Sequence, residues 1–270
     1  MEIEKKTRKV SLVLGSGGAR GLTQIGVIQY LVKQGYEIDE VVGCSIGSLI
    51  GGAFACGKLD ELGAWMQGLT KTQVFRLMDF SNSGNGLLKG KRVLNTLQSV
   101  FCDVDIESLP IRYAAIASDL IAEEEKLFAT GSLYAAIRAS IAIPGVFTGV
   151  QLSNSFLVDG AVLNPLPVNQ VVKKGNLIVA VNLDGRLDKP KLSPAKLNAI
   201  ALMEESFYAM RRRLATLTLR LNPPDYLIDI PLDVAGIWDY HRAQDLIDQG
   251  YALAEKAFVQ QDLLSAKESV

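Results

Sequence analysis

The chain has 270 residues, with 28 Lys plus Arg against 29 Asp plus Glu, one histidine and three cysteines. A net charge of −1 gives no support to nucleic-acid binding as the main role, and Cys44, Cys56 and Cys102 are too few and too scattered for a disulfide framework or a zinc site. The single histidine, His241, excludes a two-histidine metal site, and any Ser-His-Asp triad has to use it.

The length suits one α/β domain over residues 1–270 with a substantial core. The apolar patch from Val10 to Leu14 is too short for a signal-peptide core, and no apolar run approaches the roughly 18–20 residues that span a bilayer. The expectation is a cytoplasmic protein in a reducing compartment, with room for peripheral membrane contact.

Val10–Leu14 reads as a strand that runs into Gly15-Ser16-Gly17-Gly18-Ala19-Arg20-Gly21, followed by helical spacing from Leu22 to Val32. Such a loop leaves backbone N–H groups pointing outward and suits an anion. A dinucleotide fingerprint needs glycine at the first, third and sixth positions; Gly15 and Gly17 match, but Arg20 holds the sixth, so the match fails. The spacing of a phosphate-binding P-loop is absent too. The other reading is an oxyanion hole from the N–H groups of Gly17 and Gly18, with Arg20 bracing the loop, adding positive potential or forming a salt bridge at the helix start.

The stretch Val41-Val42-Gly43-Cys44-Ser45-Ile46-Gly47-Ser48-Leu49-Ile50 carries the sharpest signal. It reads as a strand, a tight turn and a buried helix, with the Ser45 hydroxyl exposed at the helix N-terminus. Gly-x-Ser-x-Gly alone is a weak motif in a chain with 24 glycines; the strand before it and the helix after it give it weight. Cys44 is expected to point away from Ser45 as a packed thiol.

Leu59–Leu69 reads as a helix, and residues 73–92 as either a mobile lid over a groove or an ordinary surface helix–loop–helix. Strands are expected at 111–117 and, paired with it, 126–129. A helix capped by Ser132 runs to Ser140 and is stopped by Ile143-Pro144-Gly145. Phe156–Val158 is a short strand ending at Asp159-Gly160-Ala161. Residues 168–173 read as a short helix and 176–182 as a buried parallel strand. A long helical pattern over 193–221 contains Arg211-Arg212-Arg213, a solvated basic face or an attraction to phospholipid head groups. Tyr226–Ile230 reads as a last strand, and 238–264 as a helix broken near Gly250.

Three motifs in order, Gly15–Gly21, Gly43–Gly47 and Asp159-Gly160-Ala161, with Ile143-Pro144-Gly145-Val146-Phe147 before the last, resemble the patatin-like phospholipase family. The likeness is strongest to its short bacterial members, and it extends to the catalytic domain of neuropathy target esterase. It covers about Val10 to Val181. It implies a three-layer α/β/α sandwich with a mostly parallel central sheet, related to cytosolic phospholipase A2. It also implies a Ser-Asp dyad that hydrolyses lipid acyl esters with no histidine, metal or organic cofactor. Carried over by position, Ser45 is the nucleophile, Asp159 its partner, Gly17 and Gly18 the oxyanion donors and Arg20 the family's basic residue. Ser16 departs from the glycine frequent in the family.

The residues themselves agree with this. A serine hydroxyl is a weak nucleophile until a base takes its proton, and partial desolvation raises an aspartate toward a useful pKa. Asp159 also reads as a turn aspartate, and Asp119 and Asp184 end apolar strands and compete for the role of base. The order Ser45, then Asp159 or Asp184, then His241 fits an α/β-hydrolase triad, although Asp239–Ala243 looks like a helix start. The expected function is hydrolysis of (lyso)phospholipid or related lipid esters. The rivals are a lipid transacylase and a low-turnover lipid-binding module of the same fold.

Overall fold

The computed structural model describes residues 8–77, 91–100, 103–185 and 198–268. Eight strands form one sheet: β1 (Lys9–Leu14), β2 (Glu37–Cys44), β3 (Arg112–Asp119), β4 (Glu124–Phe128), β5 (Val150–Leu152), β6 (Ser155–Asp159), β7 (Leu177–Gly185) and β8 (Tyr226–Pro231). Their order is β5-β6-β3-β2-β1-β7-β8, with β4 also paired to β3. The run β3-β2-β1-β7-β8 is parallel, whereas β4 and β6 meet β3 antiparallel and β5 meets β6 antiparallel.

Alternation along the strands sends side chains to two cores, as period-2 geometry requires. On β1, Val10, Leu12 and Leu14 join the larger core while Val13 faces the other side. Leu12 and Val179 of β7 pack in the larger core with α1 (Leu22–Lys33), α2 (Ile46–Ala55) and α8 (Ala243–Glu268). On the opposite face Val13, Ala180 and Leu166 pack against Ala215 of α7 (Ala199–Leu221). Helices on both faces of a mixed sheet make the expected three-layer sandwich. The remaining helices are α3 (Leu59–Gln67), α4 (Lys71–Leu77), α5 (Lys91–Val100) and α6 (Leu133–Ser140), the last capped by Ser132, whose Oγ accepts the Ala135 N–H at 3.0 Å.

Several expectations change. Residues 168–173 do not form a helix: a single 3-10 turn spans Val168–Gln170, and the N–H groups of Val172 and Lys173 bond instead to the buried Glu40 carboxylate. The C-terminal helix is preceded by a 3-10 turn at Tyr240–Arg242 and is not broken at Gly250. Gly250 sits where α8 crosses α1: a Cβ there would lie 1.9 Å from the Thr23 carbonyl oxygen, and one on Gly26 equally close to that of Ile247. Most of the 73–92 segment, expected as either a lid or a surface helix–loop–helix, lies outside the described residues (78–90), as do residues 193–197 of the long helical pattern.

Candidate active site

The parallel strands end at one edge of the sheet, and their C-terminal loops build the site, the usual location in an α/β sheet. At the end of β2, Ser45 takes φ 55° and ψ −124°, a conformation uncommon for a non-glycine residue. The turn is held from several sides. The Ser45 N–H donates to Ser140 Oγ at 2.8 Å, Ser48 Oγ donates to the Ser45 carbonyl at 2.7 Å, and the Tyr113 hydroxyl donates to the Ser48 carbonyl at 2.8 Å. Glycine is required at position 47 because a Cβ would come within 2.2 Å of the Leu14 carbonyl oxygen, so α2 lies directly against β1.

Sheet register explains how residues 114 positions apart meet. Cys44 pairs with Ile116 of β3, and the next β3 residue, Ala117, pairs with Asp159 of β6. Ser45 and Asp159 therefore stand at one level on either side of β3, two strand spacings or about 9–10 Å apart at the backbone. Their side chains close the gap: Ser45 Oγ donates to Asp159 Oδ2 at 2.5 Å. The other carboxylate oxygen, Oδ1, accepts the Ala161 N–H at 2.8 Å and caps the 3-10 turn Gly160–Val162. The turn-aspartate reading and the partner reading thus hold together, one oxygen each. Desolvation pushes the Asp159 carboxyl up to about 6, opposed by the Ser45 and Ala161 hydrogen bonds and the positive charge of Arg211.

The other candidates for the base are occupied elsewhere. Asp119 accepts the N–H groups of Ile121 at 2.9 Å and Phe156 at 3.2 Å. Asp184 is buried between two arginines, with Oδ2 2.8 Å from Arg211 Nη2 and Oδ1 3.5 Å from Arg20 Nη2. His241 lies in the turn before α8, and no hydrogen bond joins it to Ser45 or Asp159 among the described residues. Cys44 packs with Ile116, Ala161 and Leu127, and burial drives its thiol well above the ordinary range, so it is an inert packed group.

In the glycine loop, the Gly15 N–H bonds to the Val181 carbonyl at 3.1 Å, that of Ser16 to Pro165 at 2.9 Å and that of Ala19 to Ile237 at 3.0 Å. The N–H groups of Gly17 and Gly18 between them make no hydrogen bond among the described residues. Gly18, at φ 59° and pressed against Ile237, lines the same pocket as Ser45. Arg20 turns away from that pocket. Its Nε donates to the Leu183 carbonyl at 3.0 Å and Nη1 to that of Ala235 at 3.3 Å, which ties the loop to β7 and to the segment after β8. Among the described residues Ser16 makes hydrogen bonds through its backbone only, so its departure from glycine leaves these contacts intact.

The pocket beside Ser45 is open to solvent. Its walls are mainly apolar: Trp65, Met66 and Leu69 from and after α3, Phe147, and Ile237 with Trp238. Sequence reasoning missed Ser140, the aromatic walls and Arg211. Arg211 is buried rather than part of a solvated face, while Arg213 in the same run is exposed. Among the described residues no group of three or more His, Cys, Asp or Glu converges as a metal site requires, and no helix is long and apolar enough to cross a membrane.

This fold is that of the patatin-like phospholipases. Residues 12–172 match the model of the patatin-like phospholipase family, more than half of the chain, and the chain belongs to that family. It is 44% identical over 178 residues to uncharacterized NTE family proteins of Mycobacterium tuberculosis and Mycobacterium bovis, a stretch that takes up 66% of this chain and 49% of theirs. The chain thus spans about half the length of these relatives. It is also 31% identical over 192 residues to the lysophospholipase NTE1 of Meyerozyma guilliermondii, covering 68% of this chain and 13% of that protein. Among solved structures, VipD from Legionella pneumophila matches over 95% of this chain and 67% of its own, with a TM-score of 0.50 and 14% identity, a likeness of fold alone.

Proposed function

We propose that the protein is a serine acyl hydrolase that cleaves carboxylic esters of lysophospholipids, phospholipids or related lipids through an acyl-enzyme on Ser45. The observation that carries this reading is the 2.5 Å contact between the buried Asp159 carboxylate and the Oγ of Ser45, a residue that lines an apolar pocket. Family membership supports the substrate class.

Ser45 Oγ attacks the ester carbonyl carbon as its proton passes to Asp159. The carbonyl oxygen becomes an oxyanion facing the N–H groups of Gly17 and Gly18, which make no hydrogen bond among the described residues. The carbon–oxygen bond to the alcohol then breaks, Asp159 returns the proton to the leaving oxygen, and the acyl group stays on Ser45. Water repeats the sequence: its proton goes to Asp159, its oxygen attacks the acyl carbon, and Ser45 recovers a proton as the fatty acid leaves. A carboxylate held near pH 6 by burial is far better matched to this shuttling than an exposed one. Arg20 acts on the loop, through the carbonyls it binds, rather than on the substrate.

Incubation with lysophosphatidylcholine and no added alcohol tests the reading. The wild type should release free fatty acid and Ser45→Ala should release none. Turnover that appears only when an alcohol is supplied would make the protein a transacylase, and stoichiometric lipid binding with no product would make it a binding module.

A further inference from the structure

We propose that Arg211, on α7 and beyond the residues matched by the family model, is a positioning residue that aims the Gly17 N–H at the reacting carbonyl by holding the Ser16–Gly17 peptide. The inference rests on the acyl-transfer reading and extends it to a distant part of the chain.

Arg211 Nη2 donates to the Ser16 carbonyl at 2.9 Å. That carbonyl and the Gly17 N–H belong to one planar trans peptide and point in opposite directions. Fixing the carbonyl from behind therefore fixes where the donor points. The preceding Gly15–Ser16 peptide is held separately, its N–H donating to the Pro165 carbonyl, while the Gly17 N–H makes no hydrogen bond among the described residues. A charged donor on the carbonyl also polarises the amide and makes its N–H a stronger donor.

Arg211 is itself immobilised. Its Nη2 lies 2.8 Å from Asp184 Oδ2, with both side chains almost fully buried. Its guanidinium lies 5.7 Å from the ring centres of Phe207 and Tyr208. Asp184 is shared with Arg20, whose Nη2 stands 3.5 Å from Oδ1 and whose Nε holds the Leu183 carbonyl. Two guanidinium groups on one carboxylate leave a net positive charge behind the loop. Two arginines that sequence alone places far apart thus brace the glycine loop from α7 and from its own end.

The experiment compares wild type, Arg211→Met and Arg211→Lys on a soluble p-nitrophenyl ester, with thermal melts to establish folding. Affinities are measured for a trifluoromethyl ketone, which forms a tetrahedral oxyanion on Ser45, and for an ether analogue of the substrate, which does not. Arg211→Met should lower kcat about 10²–10³-fold, the usual consequence of losing an oxyanion donor, with KM changed less than about threefold. Ketone affinity should fall in parallel and ether affinity should hold. Arg211→Lys should recover part of the rate, because an ammonium reaches Ser16 or Asp184 but not both in the same geometry. If Arg211→Met does not fold, Arg211→Lys with Asp184→Asn carries the same comparison. A folded variant with near-normal kcat, or one that loses ketone and ether equally, overturns the assignment while the hydrolase reading stands. A wild type that neither turns over ester nor binds the ketone overturns both.

Discussion

Asp159 exposes 2% of its surface, and desolvation lifts its carboxyl from 3.8 to about 6. Because the folded value lies above the unfolded one, this group favours the fold fully below about pH 4, and that contribution is lost as pH rises through about 6. At neutral pH the buried charge opposes folding, yet in the proposed mechanism the ionised form is the one that takes the Ser45 proton. Two outcomes follow for Asp159→Asn. Its kcat should fall at least about 10²–10⁴-fold, while its melting temperature at pH 7 equals or exceeds that of the wild type, a gap that narrows toward pH 4. A destabilised Asn variant at pH 7, read by scanning calorimetry, would contradict this view of the carboxylate. For the wild type, kcat/KM should decline on the acid side with a midpoint near pH 6. At this scale the turns that carry Ser45 and Asp159 are legible, because strand-to-turn signals and small neighbours are local in sequence. Arg211 was not. It lies on the inward face of α7 four residues before the buried Ala215, but a run of three arginines hides that spacing, and only the tertiary meeting with Asp184 and Ser16 explains its burial.

Helix α8 packs along α1 through Gly26 and Gly250, where backbone rather than side chain meets backbone. Gly250→Ala should therefore destabilise the protein by about 1–3 kcal/mol or more by forcing the two helices apart. Gly63→Ala, in α3 with no atom of the described residues outside its own stretch of helix within 4 Å of the added Cβ, should stabilise it by about 0.5–1 kcal/mol through helix propensity alone. Urea denaturation of both variants reads the contrast, and two shifts of the same sign would show that the crossing is not close-packed. Sequence alone could not separate these glycines. A glycine inside a helical pattern signals a break by its propensity and a close approach by its context, and context is tertiary. The 168–173 segment failed for a related reason: its helical residues lose to the buried Glu40, whose carboxylate takes the N–H groups of Val172 and Lys173.

Across the whole molecule, a parallel run of five strands sets the serine and the glycine loop at one sheet edge, and an antiparallel wing brings in the aspartate. The parallel part was readable from apolar strands alternating with helical segments. The wing was less so, since β5 has only three residues and short exposed strands carry little pattern. The apolar walls of the pocket lead to a further prediction. Across a p-nitrophenyl ester series, kcat/KM should rise by up to about fourfold per added methylene until the pocket is filled, as burial of apolar surface requires. A flat or falling series would show that the acyl chain lies elsewhere. The central claim is that Ser45, activated by Asp159, is the nucleophile. It is met most directly by intact-mass and peptide-mass analysis after exposure to a fluorophosphonate. The account predicts one adduct on the peptide bearing Ser45 in the wild type, none in Ser45→Ala and greatly slowed labelling in Asp159→Asn. An adduct on another residue, or labelling of Asp159→Asn at the wild-type rate, would contradict it.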